Sequence, residues 1–181
     1  CDRSRWDGSA ALFELKKQGL NVMGIEQFSI PHDKGSSHGL SRIIRLAYFE
    51  HPSYIPLLKR SYILWRELEN ESSEKLLLQT GSIDASLPDD RVFKGSLKSC
   101  LDYNLDHEIL DGNSLTKKFP GYGLPKKFKA VYQPEGDILI PEKCITTFTN
   151  MAKKKGALIK EGEKVLNLEK DPYGIKVTTN Q

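Results

Sequence analysis

GSAALFELKKQGLNVMGIE, from Gly8 to Glu26, is the stretch that decides the fold class of this 181-residue chain. Ala11, Leu12 and Leu15 fall one helical turn apart, Gly19 stops the helix, and a short apolar strand then runs to an acid, Glu26. A glycine opening a helix, followed by a strand and a terminal Glu, is the second half of a dinucleotide-binding unit. There the helix N-terminus faces a pyrophosphate and the acid receives ribose hydroxyls. A full fingerprint has two more glycines ahead of Gly8, at the positions held here by Arg3 and Arg5, with an apolar strand before them. Side chains at those positions would collide with a pyrophosphate on the turn, so the unit reads as damaged or truncated. A plain βαβ fragment of another α/β protein is the alternative.

Next comes Gly35-Ser36-Ser37-His38-Gly39-Leu40-Ser41-Arg42-Ile43-Ile44-Arg45, a glycine-bounded polar loop running into two arginines set among apolar residues. Gly35 and Gly39 let a backbone approach a ligand closely, and Ser36, Ser37 and His38 supply hydrogen-bonding side chains. Arg42 and Arg45 offer planar donors suited to a carboxylate or phosphate. The alternative is a flexible loop before a half-exposed strand with solvated arginines. In a strand the two arginines would take opposite faces, in a helical turn the same one.

Farther along, Pro52 and Pro56 open a helix with Tyr54, Leu57, Leu58, Tyr62, Trp65 and Leu68 on its packing face. Leu76 to Ala85 reads as one strand, Asp89-Asp90 as the cap of a helix through Phe93, Leu97 and Leu101, and His107 to Leu110 as a short strand. A capped turn at Asn113 to Phe119 and two strands about Pro134 to Asp137 follow. Then come a helix from Pro141 to Lys155 and a hairpin of 164–169 with 174–179.

With 38% hydrophobic and 28% charged residues, the composition is that of a globular protein. No apolar run reaches membrane-spanning length and no leader pattern opens the chain, so a cytoplasmic setting is the default, with a peroxisomal one as the alternative. The formal charge of +3 gives no footprint for nucleic acid. Cys1, Cys100 and Cys144 are far apart and suggest no metal site or dithiol; the latter two read as buried helical residues. His51 and His107 read as surface or helix-boundary residues.

ELKKQGLNVMGIEQF, PHDKGSSHGLSRIIRLAY and YIPLLKRSYILWRELE, in this order and spacing, resemble the sarcosine oxidase family of flavoenzymes, which includes N-methyltryptophan and pipecolate oxidases. FPGY (Phe119–Tyr122) and VYQPEGDILIPEKC (Val131–Cys144) extend the resemblance, which runs from about Gly8 to the end of the chain. It implies an α/β fold: a partial FAD-binding Rossmann-like domain, residues 1–78 and 138–181, interrupted by a mixed α+β substrate-domain insertion, residues 79–137. It also implies FAD as cofactor, a secondary amino acid and O2 as small-molecule partners, and a monomer when complete.

The resemblance assigns roles residue by residue. Gly8 stands where the last fingerprint glycine lies, Glu26 matches the ribose acid, and Val165 matches a residue whose backbone meets the adenine. Gly35, Ser36, Ser37 and His38 occupy the loop beside the flavin, while Ser41 and Arg42 match residues at the isoalloxazine face. Arg45 matches the arginine that binds the substrate carboxylate, with a salt bridge across the domain seam as its alternative role. Family members run to about twice this length, and Cys144 does not match the position that tethers flavin. The expectation is therefore an incomplete copy, inactive in isolation, with a non-catalytic α/β module lacking flavin as the rival reading.

Overall fold

The computed structural model describes residues 5–181, with side chains from Asp7 onward. The expectations for Cys1 and Arg3, and for the side chain of Arg5, lie outside what it describes. The chain divides into two compact units, Cys1–Ser41 with Ile140–Gln181, and Arg42–Leu139.

The first unit opens with α1 (Arg5–Lys17), which Gly19 follows as expected, and β1 (Met23–Glu26). α5 (Pro141–Lys154) leads into β8 (Leu158–Glu161), and β8 pairs in parallel with β1, placing Glu26 opposite Glu161. The helix face differs from expectation: Leu15 is 41% exposed while Phe13 is buried and packs on Phe148 of α5, ring centroids 5.7 Å apart. One buried phenylalanine stabilises by roughly 2–3 kcal/mol, more than the small side chains beside it contribute. Gly24 lets α1 lie close to β1, because a Cβ there would come within 3.2 Å of Leu12 Cδ2. Ile145, Phe148, Met151 and Ala152 of α5 are buried as the spacing requires. β9 (Val165–Asp171) and β10 (Gly174–Thr179) form the expected hairpin.

The second unit contains β2 (Arg42–Ile44), α2 (Ile55–Ser72), β3 (Leu77–Gln79), β4 (Ser82–Ser86) and α3 (Arg91–Asp102). It continues with β5 (Glu108–Asp111), α4 (Gly112–Lys118), β6 (Lys129–Gln133) and β7 (Asp137–Leu139). Two three-stranded antiparallel sheets result, in the orders β2-β7-β3 and β4-β6-β5. Residues 42–78 lie in this unit because β2 and β3 both pair with β7, whereas the resemblance assigns them a flavin-binding role.

Three local expectations are corrected here. Leu76 to Ala85 is two strands in different sheets, since the Thr80 and Gly81 amides both donate to the Gly136 carbonyl, at 3.1 and 2.8 Å, and turn the chain. In α2 the buried residues are Ile55, Trp65 and Leu68, and Leu57 and Tyr54 are exposed. In α3 Phe93 and Cys100 are buried and Leu101 is exposed. The core gathers Leu46, Ala47, Ile55, Phe93, Cys100, Leu105 and Val131. Asp90 caps α3 through a bond from the Val92 amide, 2.9 Å. His51 caps the turn before α2, accepting from the Ser53 amide at 3.2 Å. No helix among the described residues is long and apolar enough to cross a membrane.

Candidate functional site

In the first unit, the end of β1 lies near the second and third turns of α1; the helix begins at Arg5, so Gly8 is its fourth residue and does not open it. Glu26 closes β1, and a hollow of about 80 Å³ lies beside it, bounded by Ser9 and Leu12 of α1, Gly24, and Ile145 and Thr149 of α5. Glu26 Oε1 accepts from the Phe28 amide at 3.0 Å and lies 3.1 Å from His32 Nε2. Both contacts fall on one oxygen, so among the described residues Oε2 is left as an acceptor. His32 Nδ1 accepts from the Lys34 amide at 3.0 Å, which puts the ring proton on Nε2. Nε2 is close to Glu26 but not in line for a hydrogen bond. A Cβ built on Gly8 meets nothing within 4 Å among the described residues.

The loop Gly35–Ser41 belongs to the same unit and is held from α5. Glu142, in the first turn of that helix, accepts from the Gly39 amide at 3.1 Å and pairs with His38 Nδ1 at 2.9 Å. Burial works to raise the Glu142 carboxyl, but the Gly39 amide, its own amide and His38 together hold it below the usual range. Ser37 is buried, while Ser36, His38 and Ser41 are exposed. Glu161 Oε2 accepts from the Ile30 amide at 2.8 Å and so fixes the start of the segment leading to this loop. Val165 begins β9 and is partly exposed.

In the second unit, Arg42 lies on β2, opposite Leu139, and Arg45 lies just beyond the strand end. Arg45 Nε is 3.4 Å from Asp84 Oδ2, Nη2 is 3.9 Å from Glu50 Oε2, and the guanidinium lies over Tyr48 and Phe49, 5.6 and 5.3 Å from their centroids. Arg45, Glu50 and Asp84 all lie in the unit Arg42–Leu139, while on the expected bounds of 1–78 and 79–137 the Arg45–Asp84 pair is the salt bridge across the seam named as the alternative role. Burial raises the Asp84 carboxyl above the usual range, against the Ser96 hydroxyl and Arg45, which favour its charge. Cys100, fully buried in α3, has its thiol pushed up to about 11 by burial and then by the Asp84 charge, as an inert structural thiol requires. A hollow of about 700 Å³ in this unit is lined by Lys59, Tyr62, Arg66 and Glu135 among others, and Arg45 is not one of its lining residues.

The sequence pattern of the family described as FAD dependent oxidoreductase matches residues 8–181. The chain belongs to this FAD-dependent oxidoreductase family. Among its relatives, monomeric sarcosine oxidase of Streptomyces avermitilis is 35% identical over 172 residues, covering 95% of this chain and 45% of that protein. N-methyl-L-tryptophan oxidase of Yersinia pestis is 33% identical over 173 residues, covering 95% and 46%. NikD, an amino acid oxidase essential for nikkomycin biosynthesis, matches in fold with a TM-score of 0.85 at 23% identity, over 97% of this chain and 45% of that one. This FAD-dependent oxidoreductase chain spans less than half the length of the curated relatives it matches.

FAD is the cofactor of the family, and the residues of the first unit fit its nucleotide end. The donor set is a strand-end carboxylate with an oxygen to spare among the described residues, beside a hollow that Ser9 of α1 also lines. Three residues that pattern reading passed over stand against the expected ones, Glu142 beside His38, His32 beside Glu26 and Asp84 beside Arg45. Glu142 carries a signal in the Pro-Glu pair that opens α5. His32 sits in the PHDKGSSHG run, and Asp84 is a lone acid inside an otherwise uncharged strand.

Proposed function

We propose that this chain carries the nucleotide-binding end and one substrate-anchoring arginine of a flavin-dependent oxidase acting on the C–N bond of a secondary amino acid such as N-methylglycine. In this reading residues 1–78 and 138–181 serve the flavin and residues 79–137 form the inserted substrate domain. Glu26 receives the ribose hydroxyls, Gly8 admits the pyrophosphate, Gly35, Ser36, Ser37 and His38 border the flavin, and the Val165 backbone meets the adenine. FAD, when bound, supplies the two-electron acceptor. Arg45 grips the substrate carboxylate, and Ser41 and Arg42 set the polarity of the ring's surroundings, a cation there favouring negative charge on the reduced ring. The amine loses a hydride equivalent from the carbon beside nitrogen to give an imine, which water converts to an aldehyde and a free amine. Dioxygen takes the two electrons and two protons as hydrogen peroxide.

The observation that carries this reading is the oxygen of Glu26 left over among the described residues, beside a hollow lined by Ser9 and Leu12 of α1, in a chain of this family. An absorbance scan and a peroxide assay test it. Purified protein reconstituted with FAD is expected to show flavin bands near about 370 and 450 nm and, as an incomplete copy, to release no peroxide with N-methylglycine. Absence of the bands would leave an α/β module that binds no flavin; bands without peroxide would mean that the chain holds the cofactor but does not turn over.

A further inference from the structure

We propose that Asp84 is a positioning residue for Arg45, drawing the guanidinium by an ion pair on its Nε side, with Nε 3.4 Å from Oδ2 and not in line for a hydrogen bond, and leaving its Nη1 side for a substrate carboxylate. This rests on the reading of Arg45 as the carboxylate anchor. Asp84 is central in β4, its register set by pairing with Val131 of β6, and its side chain is only 11% exposed. A charge so enclosed is costly unless paired, and Arg45 is the cation within reach.

The acid is itself held. Ser96, fully buried on α3, donates its hydroxyl to Asp84 Oδ2 at 2.6 Å. α3 is in turn locked to the chain just past Arg45. The Ser99 hydroxyl donates to the Tyr48 carbonyl at 2.6 Å, and Gly95 lies so close to Phe49 that an added Cβ would stand 2.1 Å from its carbonyl oxygen. One helix thus fixes both the acid and the two rings over which the guanidinium lies. Edge and face are both constrained, and among the described residues the acids meet only Nε and Nη2. A pre-aimed planar donor needs no rearrangement when a carboxylate arrives, which is where positioning improves affinity.

Two readouts test this. In the ¹⁵N-labelled chain, the Arg45 Nε proton is assigned by its loss in Arg45→Lys. Asp84→Asn keeps an acceptor for Ser96 but removes the charge, and is expected to speed exchange of that proton about fivefold, the equivalent of one close ion pair. Glu50→Gln, at the longer distance, should change it less. In the FAD-loaded protein, Asp84→Asn should weaken N-methylglycine binding about fivefold, read from perturbation of the flavin bands, with FAD affinity within about twofold. Ser96→Ala serves where Asp84→Asn fails to fold, with the same direction and a smaller size. An unaltered exchange rate overturns the positioning role whatever Arg45 binds. Faster exchange with an unaltered affinity for N-methylglycine means that Asp84 holds Arg45 but that Arg45 does not anchor the substrate; the anchor reading then falls and this proposal with it.

Discussion

At the scale of single residues, the contacts that matter most are those made by acids on backbone amides. Glu142 is the clearest, because one carboxylate oxygen serves both the Gly39 amide and His38 and so ties the glycine-serine loop to the start of α5. Its carboxyl is held below the usual range, so it remains a charged acceptor through the neutral region. Glu142→Gln keeps an acceptor but loses the charge, and we expect hydrogen exchange at the Gly39 amide to quicken by about tenfold while the global melting temperature hardly moves. Equal exchange in both proteins would detach the loop from α5. Glu142 was illegible as a partner of His38 because a contact spanning a hundred residues of sequence leaves no local pattern. Only its place after Pro141 hinted at an amide-facing role.

The elements themselves were largely legible where a local cue fixes them. Gly19 and Gly156 end helices, Pro141 begins one, Asp90 caps another, and Asp171 to Gly174 turn a hairpin. What the sequence could not supply is the pairing of distant strands. β7 separates β2 from β3, and β8 lies beside β1, through hydrogen bonds that any extended segment can make. The single strand expected from Leu76 to Ala85 failed for the same reason, since its break is imposed by the distant Gly136 carbonyl. Likewise Leu57 and Leu101 are apolar and in helical register yet exposed.

The start of β3 shows how an element is anchored. Glu69 of α2 accepts from the Leu76 and Leu77 amides at 2.6 and 2.8 Å and pairs with Arg66 at 2.6 Å. Burial works against the charged form, but the two amides and Arg66 prevail and lower its pKa. A carboxyl depressed on folding contributes stability above its unfolded pKa of about 4.5, and loses it as pH falls through the lower folded value. Glu69→Gln should therefore cost about 1.5–3 kcal/mol at neutral pH, and the gap from the unchanged protein in urea midpoint should close below about pH 4. A gap constant with pH would mean that the charge contributes nothing.

For the whole molecule, the two units differ in how they are encoded. Residues 42–139 are contiguous and enclose a core of their own, whereas the other unit is assembled from two separated segments. Expressed alone, residues 42–139 should give a cooperative thermal transition followed by circular dichroism. A featureless melt would show that this core needs the rest of the chain.

The proposed function depends most on Arg45, read as the carboxylate anchor from the resemblance, with its guanidinium set beside Asp84 and over Phe49. The direct measurement is the affinity for N-methylglycine of the FAD-loaded protein carrying Arg45→Met, read from perturbation of the flavin bands. The proposal predicts a loss of about a hundredfold, the equivalent of one hydrogen-bonded charged contact, with the flavin spectrum retained. An unchanged affinity would contradict it.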